Sequence, residues 1–186
     1  WDALFANTTG VFNTAIGREA LQNNTTANYN TAVGYVALEA NTTGANNTAV
    51  GFNALNDNTT ASYNTAFGDS ALDAATTGGE NTAVGFGSAT SLTTGAKNTF
   101  VGNYSGALTT TGDRNVGIGN YSFGNGVTTG DYNTAVGDNS ARELTSGSYN
   151  TYIGNEAGYH TTTSNENVAI GKHALRANTT GSYNTA

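Results

Sequence analysis

Asn81-Thr82-Ala83-Val84-Gly85 returns seventeen residues later as Asn98-Thr99-Phe100-Val101-Gly102, and that spacing decides the fold. Outward from this pair the motif opens again at Asn13, Asn30, Asn47 and Asn64 on one side and at Asn115 on the other. After a single 18-residue step it resumes at Asn133, Asn150, Asn167 and Asn184. Seventeen residues cannot bury a core of their own, so copies must stack and cover one another. Residues 1–186 therefore read as one repeat array, all-β, a parallel β-solenoid or β-roll of about eleven 17-residue coils, with an irregular 18-residue coil at 115–132.

Composition agrees with a laddered rod. Charged residues make up only 10%, whereas apolar residues recur at fixed phase, which disordered chains do not show. Pro is absent, as a continuous ladder requires, because Pro lacks the backbone donor. The formal net charge of −7 with six Lys and Arg leaves no basic footprint for nucleic acid, and no segment is apolar and long enough for membrane insertion. With no Cys there are neither disulfides nor thiolate metal sites, which fits an exported protein held by ladders. Met is also absent, and the sequence starts and stops inside a repeat, so the parent protein is expected to extend in both directions.

Each column of the repeat can be read as a substitution series. The fourth motif position holds Ile16, Val33, Val50, Phe67, Val84, Val101, Ile118, Val136, Ile153 and Ile170, always large and apolar, and is expected to be the structural core column. Thr14 and its equivalents exchange only with Val116 and Val168 and share that face by strand period. The residue between is Ala in most coils but Phe100, Gly117 and Tyr152 in three, a spread expected of a column facing outward or toward a partner chain. On this reading Val84→Asp breaks the fold. The Gly column from Gly17 to Gly171 is expected to turn a corner that a Cβ would disfavour. The Asn residues that open the motif, Asn13, Asn30, Asn47, Asn64, Asn81, Asn98, Asn115, Asn133, Asn150 and Asn167, should form a ladder at about 4.8 Å spacing.

A second pattern couples to the first. Early coils carry Leu21, Leu38, Leu55 and Leu72. Middle coils place Ala89, Gly106 and Ala141 there and gain Leu92, Leu108 and Leu144 nearby, as if one pocket were refilled from across a corner. The 18-residue coil, with Phe123 and Val127, reads as a hybrid bulged near Phe123-Gly124-Asn125-Gly126.

Asn-Thr-Ala-Val-Gly-x-x-Ala resembles the Ser-Val-Ala-Ile-Gly-x-x-Ser repeats of trimeric autotransporter adhesin heads. The Asn-Thr-Thr-Gly-x-x-Asn-Thr-Ala run, seen from Asn41 and from Asn178, is similar to arrays in phage and bacterial tail-fibre-like proteins. The resemblance implies a left-handed roll, intertwined or packed as a homotrimer, extracellular or on a cell or virion surface, meeting a host glycan or protein. Thin coils filled by Ala, Ser and Thr bury little apolar area, and partner chains against the Ala and Leu columns would add to it.

No motif for chemistry emerges. His160 and His173 stand in adjacent coils without a nucleophile or carboxylate pair at matching spacing. Asp57, Asp69, Asp73, Asp113, Asp131 and Asp138 lack the spacing of calcium-binding rolls and read as solvated corners. Not an enzyme, without cofactor or metal, the chain reads as a fibrous structural protein, the rigid head or shaft of an adhesin or tail fibre mediating attachment. Candidate surface contacts are Tyr29, Tyr63, Tyr132, Tyr149 and Tyr183, which precede the Asn ladder and can stack between coils. Paired Thr residues such as Thr93-Thr94 also form an array, but neighbours on a strand point to opposite faces, whereas an ice-binding strip would use alternate residues. Ice or carbohydrate binding through the Thr or Tyr columns, or a self-assembling filament, is the alternative. Asn-x-Thr/Ser sequons occur at Asn7, Asn23, Asn24, Asn41, Asn46, Asn58, Asn103, Asn120 and Asn178.

Overall fold

The computed structural model describes Trp1–Ala186 as a β-solenoid without helix. Each motif supplies one three-residue strand. These are β1 (Thr14–Ile16), β2 (Thr31–Val33), β3 (Thr48–Val50), β4 (Thr65–Phe67), β5 (Thr82–Val84), β6 (Thr99–Val101), β7 (Val116–Ile118), β8 (Thr134–Val136), β9 (Thr151–Ile153) and β10 (Val168–Ile170). They form one parallel sheet in chain order. Every strand pairs in the same register, Thr82 with Thr99 and Val84 with Val101, for example. The register survives the 18-residue coil, where Val116 still pairs with Thr134. At about 4.8 Å per strand the sheet is roughly 45 Å long.

The ladder does not stop at the strands. Of 121 backbone hydrogen bonds only 18 lie within the sheet, and most of the others join neighbouring coils through the turns. Tyr63 donates to Ala45 O at 3.1 Å, Asn53 to Tyr35 O at 3.0 Å and Leu55 to Ala71 O at 3.0 Å, so the N–H groups of three turn positions also run along the axis. All three residues have positive φ, 64°, 57° and 51°. Left-handed backbone costs an ordinary residue roughly 1–2 kcal/mol, and the axial bonds hold it there in every coil. The Gly column turns the corner after the strand. Gly34 has φ 141°, and a Cβ there would strike the carbonyl oxygen of Gly51 in the next coil.

The interior is one residue out of phase with the expectation from sequence. The strand pattern is inward only at its middle residue. Ala32, Ala49, Ala66, Ala83, Phe100, Ala135, Tyr152 and Ala169 are fully or almost fully buried. The expected core column faces outward. Ile16 is 60% exposed, Phe67 56% and Ile170 62%, Ile118 and Ile153 are also exposed, and Val33, Val50, Val84, Val101 and Val136 are half-buried. A three-residue strand has one inward site, and the coil is too narrow to take a large side chain there in every layer. Size alone was therefore a misleading mark of burial. The Leu column is interior as well, so neither column expected to contact a partner chain is available to one.

Volume is conserved coil by coil through exchange between two inward sites six residues apart. The common pair is Ala49 with Leu55, whereas Phe100 faces Gly106, Tyr152 faces Gly158 and Gly117 is matched by Phe123. A Cβ on Gly106 would lie 2.5 Å from Phe100 Cδ1, and one on Gly158 would lie 2.6 Å from Tyr152 Cδ1. Where both sites are Ala, Leu92 and Leu144 enter the core from three residues further on. Leu108 does not. It is exposed because the Phe100 ring already fills that layer, and Val127 is exposed because Phe123 fills the next.

Two outcomes follow. Ala83→Asp should cost more than about 3 kcal/mol by burying an unpaired charge, and Val84→Asp less than about 1 kcal/mol, compared by thermal melting. Phe100→Ala should cost about 3–5 kcal/mol through the cavity it leaves. Adding Gly106→Leu, which recreates the Ala49–Leu55 pairing, should recover most of that loss in a double-mutant cycle.

Candidate functional surface

Two features organise the surface: polar ladders that run along the axis, and the outer face of the sheet. The first ladder belongs to the motif Asn residues, which are buried from Asn30 to Asn167. Asn30 Oδ1 accepts the backbone N–H of Asn47 at 2.9 Å, and Asn30 Nδ2 donates to Gly44 O at 2.8 Å. The same two bonds recur along the rod, as at Asn98, whose Oδ1 accepts from Asn115 N and whose Nδ2 donates to Gly112 O, both at 2.8 Å. Each side chain thus ties backbone to backbone. Direct amide-to-amide contact accompanies this only in later coils, such as Asn150 Nδ2 to Asn133 Oδ1 at 3.0 Å.

Sequence reading found this ladder but missed a second one. Asn24, Asn41 and Asn58 stack by amide-to-amide bonds, Asn24 to Asn7 and Asn41 to Asn24 at 3.0 Å and Asn58 to Asn41 at 2.8 Å. Their recurrence three residues after the Leu column was the available signal. The sequons at Asn24, Asn41 and Asn58 are consequently buried, with their amides engaged, and closed to modification, whereas Asn23, Asn46, Asn103 and Asn120 are exposed.

The aromatic column lies in solvent, with Tyr29, Tyr63, Tyr132, Tyr149 and Tyr183 all exposed. Phe12 stacks on Tyr29 and Tyr132 on Tyr149, each with centroids 5.0 Å apart and nearly parallel planes. Arg114 lies 5.2 Å from the Tyr132 ring centre. Stacking along the axis occupies a ring face that a sugar would need at Tyr29, Tyr132 and Tyr149, whereas Tyr63 and Tyr183 have no aromatic neighbour. Where the column turns charged, Glu80 and Lys97 pair at 3.8 Å, an exposed contact that adds little stability.

In most Thr pairs the first hydroxyl is bonded into the ladder, Thr42 Oγ1 donating to Thr59 O at 3.0 Å, while the second Thr of each pair is exposed. Their opposite orientations match the reading from sequence. Alternate outward residues on one face do exist, however, on the outside of the sheet, where a Thr alternates with a Val or Ile. Thr31 and Val33 project outward on either side of buried Ala32, and the same holds for the strands around it.

The titratable groups are dispersed. His160 Nδ1 lies 2.9 Å from Glu143 Oε2, and Glu156 holds both Arg176, at 2.5 Å, and His173, at 3.3 Å. The Arg176 hydrogen bond holds the Glu156 carboxyl below its usual range. Asp113 and Asp131 each accept a backbone N–H, from Ala96 and Asp113, at 2.8 Å. No three His, Asp or Glu side chains gather in a group that could hold a metal ion, and no helix is long and apolar enough to cross a membrane. Of the corner carboxylates expected to be freely solvated, Asp73, Asp113 and Asp131 are half-buried, and Asp73 alone has a raised carboxyl. Burial, then Asp57 and Asp69, push it up to about 6.

Comparison with protein-family models, with curated proteins and with solved structures returns no match.

Asp73 binds its proton more tightly when folded, so its contribution to stability is intact below about pH 4 and falls as pH rises toward 6. Asp73→Asn should therefore raise the melting temperature at pH 7 by a few degrees and flatten the dependence between those limits, as calorimetry at stepped pH would show.

Proposed function

We propose that this chain is a non-enzymatic extracellular fibrous structural element, the rigid head or shaft of an adhesin or tail fibre that mediates attachment. The observation that carries the reading is continuity. Ten strands share one register and the turns are laddered too, so bending at any coil would break axial bonds in all columns together. Such a rod holds a binding surface at a fixed distance, and parallel copies multiply weak contacts through avidity.

The homotrimer implied by the adhesin-head resemblance would have to form on the exterior. The Ala and Leu columns are filled within the single chain, which leaves the Thr and Val face of the sheet as a long uncharged surface on which copies could meet, beside the exposed Thr column at the corner. Electron microscopy of the isolated chain should show straight particles of uniform width, about as long as the roughly 45 Å sheet. Compact or flexible particles would remove the fibre reading. Sedimentation equilibrium should give three chains per particle if the resemblance extends to assembly, and one chain would remove the trimer while leaving the rod.

A further inference from the structure

We infer that the outer face of the sheet is an ice-binding surface, whose ligand is the ordered lattice of water itself. The inference rests on the rigid-rod reading and not on the trimer. Thr31, Thr48, Thr82, Thr99, Thr134 and Thr151 form one outward column, with Val at the equivalent position in β7 and β10, and the Val and Ile residues two places on form another. The identical register of every strand pair keeps both columns straight, the 18-residue coil included. Rows therefore repeat at about 4.8 Å along the rod and about 6.6 Å across it. This is the alternate spacing that the paired Thr residues lack.

Three further observations favour water over a second protein copy. First, no charged residue occurs in either column over all ten strands, while the adjoining columns carry Arg18, Asp69, Asp138 and Lys172 on one side and Glu80, Lys97, Arg114 and Glu166 on the other. Charge is thus confined to the flanking columns, where it alternates with exposed rings such as Phe52 and Tyr149. Second, such a strip covers roughly 45 by 10 Å, about half of the ~800 Å² per partner in a standard interface, and widening it would bury those charges. Third, the hydroxyls are free. Thr42 Oγ1 is engaged with the backbone, but the sheet-face hydroxyls make no hydrogen bond within the chain. A dry interface would strand them, at about 1–3 kcal/mol for each one left unpaired.

Facing water, each hydroxyl holds one water molecule at the coil repeat, while the neighbouring methyl groups restrict how the water between can orient. A rigid scaffold thereby presents an ordered layer that an advancing ice front can incorporate. Val116 and Val168 keep the outline of Thr, whereas Phe67 is the one ring that interrupts the surface.

The test is thermal hysteresis of the full chain by nanolitre osmometry, alongside partition into a slowly growing ice hemisphere. Wild type should separate freezing from melting temperature and enter the ice. Thr82→Lys with Thr99→Lys should lose most of both effects with an unchanged melting curve, and Thr77→Lys with Thr94→Lys, on the exposed corner, should keep them. Phe67→Val, which completes the surface, should widen the hysteresis gap and provides a second readout should the Lys pair unfold. The inference is overturned by wild type without hysteresis, by equal loss in the sheet and corner variants, or by a Phe67→Val variant no better than wild type. Assembly that shields the sheet face at assay concentration also overturns it and assigns the face to a second copy. The rod in electron micrographs is unaffected by any of these results, so the fibre reading stands or falls separately.

Discussion

The axial hydrogen bond between one coil and the next is the interaction on which every other feature depends. With 103 of 121 backbone bonds outside the strands, the ladder constrains the turns as well as the sheet. Once most backbone groups must meet their counterparts one coil away, the rest being closed by three-residue turns such as Asn41 N to Leu38 O, all coils must share a shape, and side chains of equivalent residues become columns. The ladder also explains three residues per coil with left-handed backbone, among them Tyr29, Val36 and Leu38 at φ 61°, 50° and 53°. None is a residue that chooses this conformation locally. Each is kept because its N–H completes an axial bond and because its side chain is useful where it stands, stacked on Phe12 in the first case and buried in the core in the other two.

The narrow interior is the second constraint, and it follows from the first. A 17-residue coil with three-residue strands encloses space for about one large side chain per layer. Leu55, Phe100, Phe123, Leu92 and Tyr152 take that role from different positions, and the facing residue shrinks to Ala or Gly in response. A filled interior leaves the remaining large apolar residues no place but the outside. The exposed Val and Ile column is therefore a by-product of coil geometry in the sense that no chain this thin could bury it, yet its freedom from charge in all ten strands is not forced by geometry. That separation between what the coil imposes and what it merely allows is why the sheet face stands out as a functional surface.

Much of this was legible in the sequence. The period gives the solenoid, and the recurring Asn and Gly give the ladder and the corner, because backbone constraints tolerate no substitution. Side-chain phase was harder. Val84 is larger and more apolar than Ala83, and large apolar residues are usually inside, but that rule assumes a core wide enough to receive them. The informative signal lay in pairs: Phe100 with Gly106, Gly117 with Phe123 and Tyr152 with Gly158 are each six residues apart and vary in opposite directions. Read singly, Phe100 and Tyr152 suggest tolerance. Read with their partners they demonstrate packing. Asp73 escaped for a different reason, since its raised titration comes from burial first and then from the charges of Asp57, one coil back, and Asp69, in its own coil, and burial of a corner carboxylate leaves no mark in the repeat.

The two Asn ladders differ in permanence, and their hydrogen-bond polarity supplies the reason. In the amide ladder of Asn24, Asn41 and Asn58, each Nδ2 donates toward the N-terminal end and each Oδ1 accepts from the coil above. Ala75 ends the column, and Asn58 Oδ1 is left buried without a partner. Extending the ladder by one more Asn would only move the orphan up a coil, because Leu92 follows. One termination thus leaves one unsatisfied acceptor wherever it falls, and the column can be traded for apolar packing at that fixed penalty. The motif Asn cannot be traded in the same way. Removing Asn64, for instance, would orphan Asn81 N–H and Gly78 O, two backbone groups that no substitution elsewhere can supply. A side chain that satisfies the main chain of the next coil is bound to the repeat as firmly as the main chain itself.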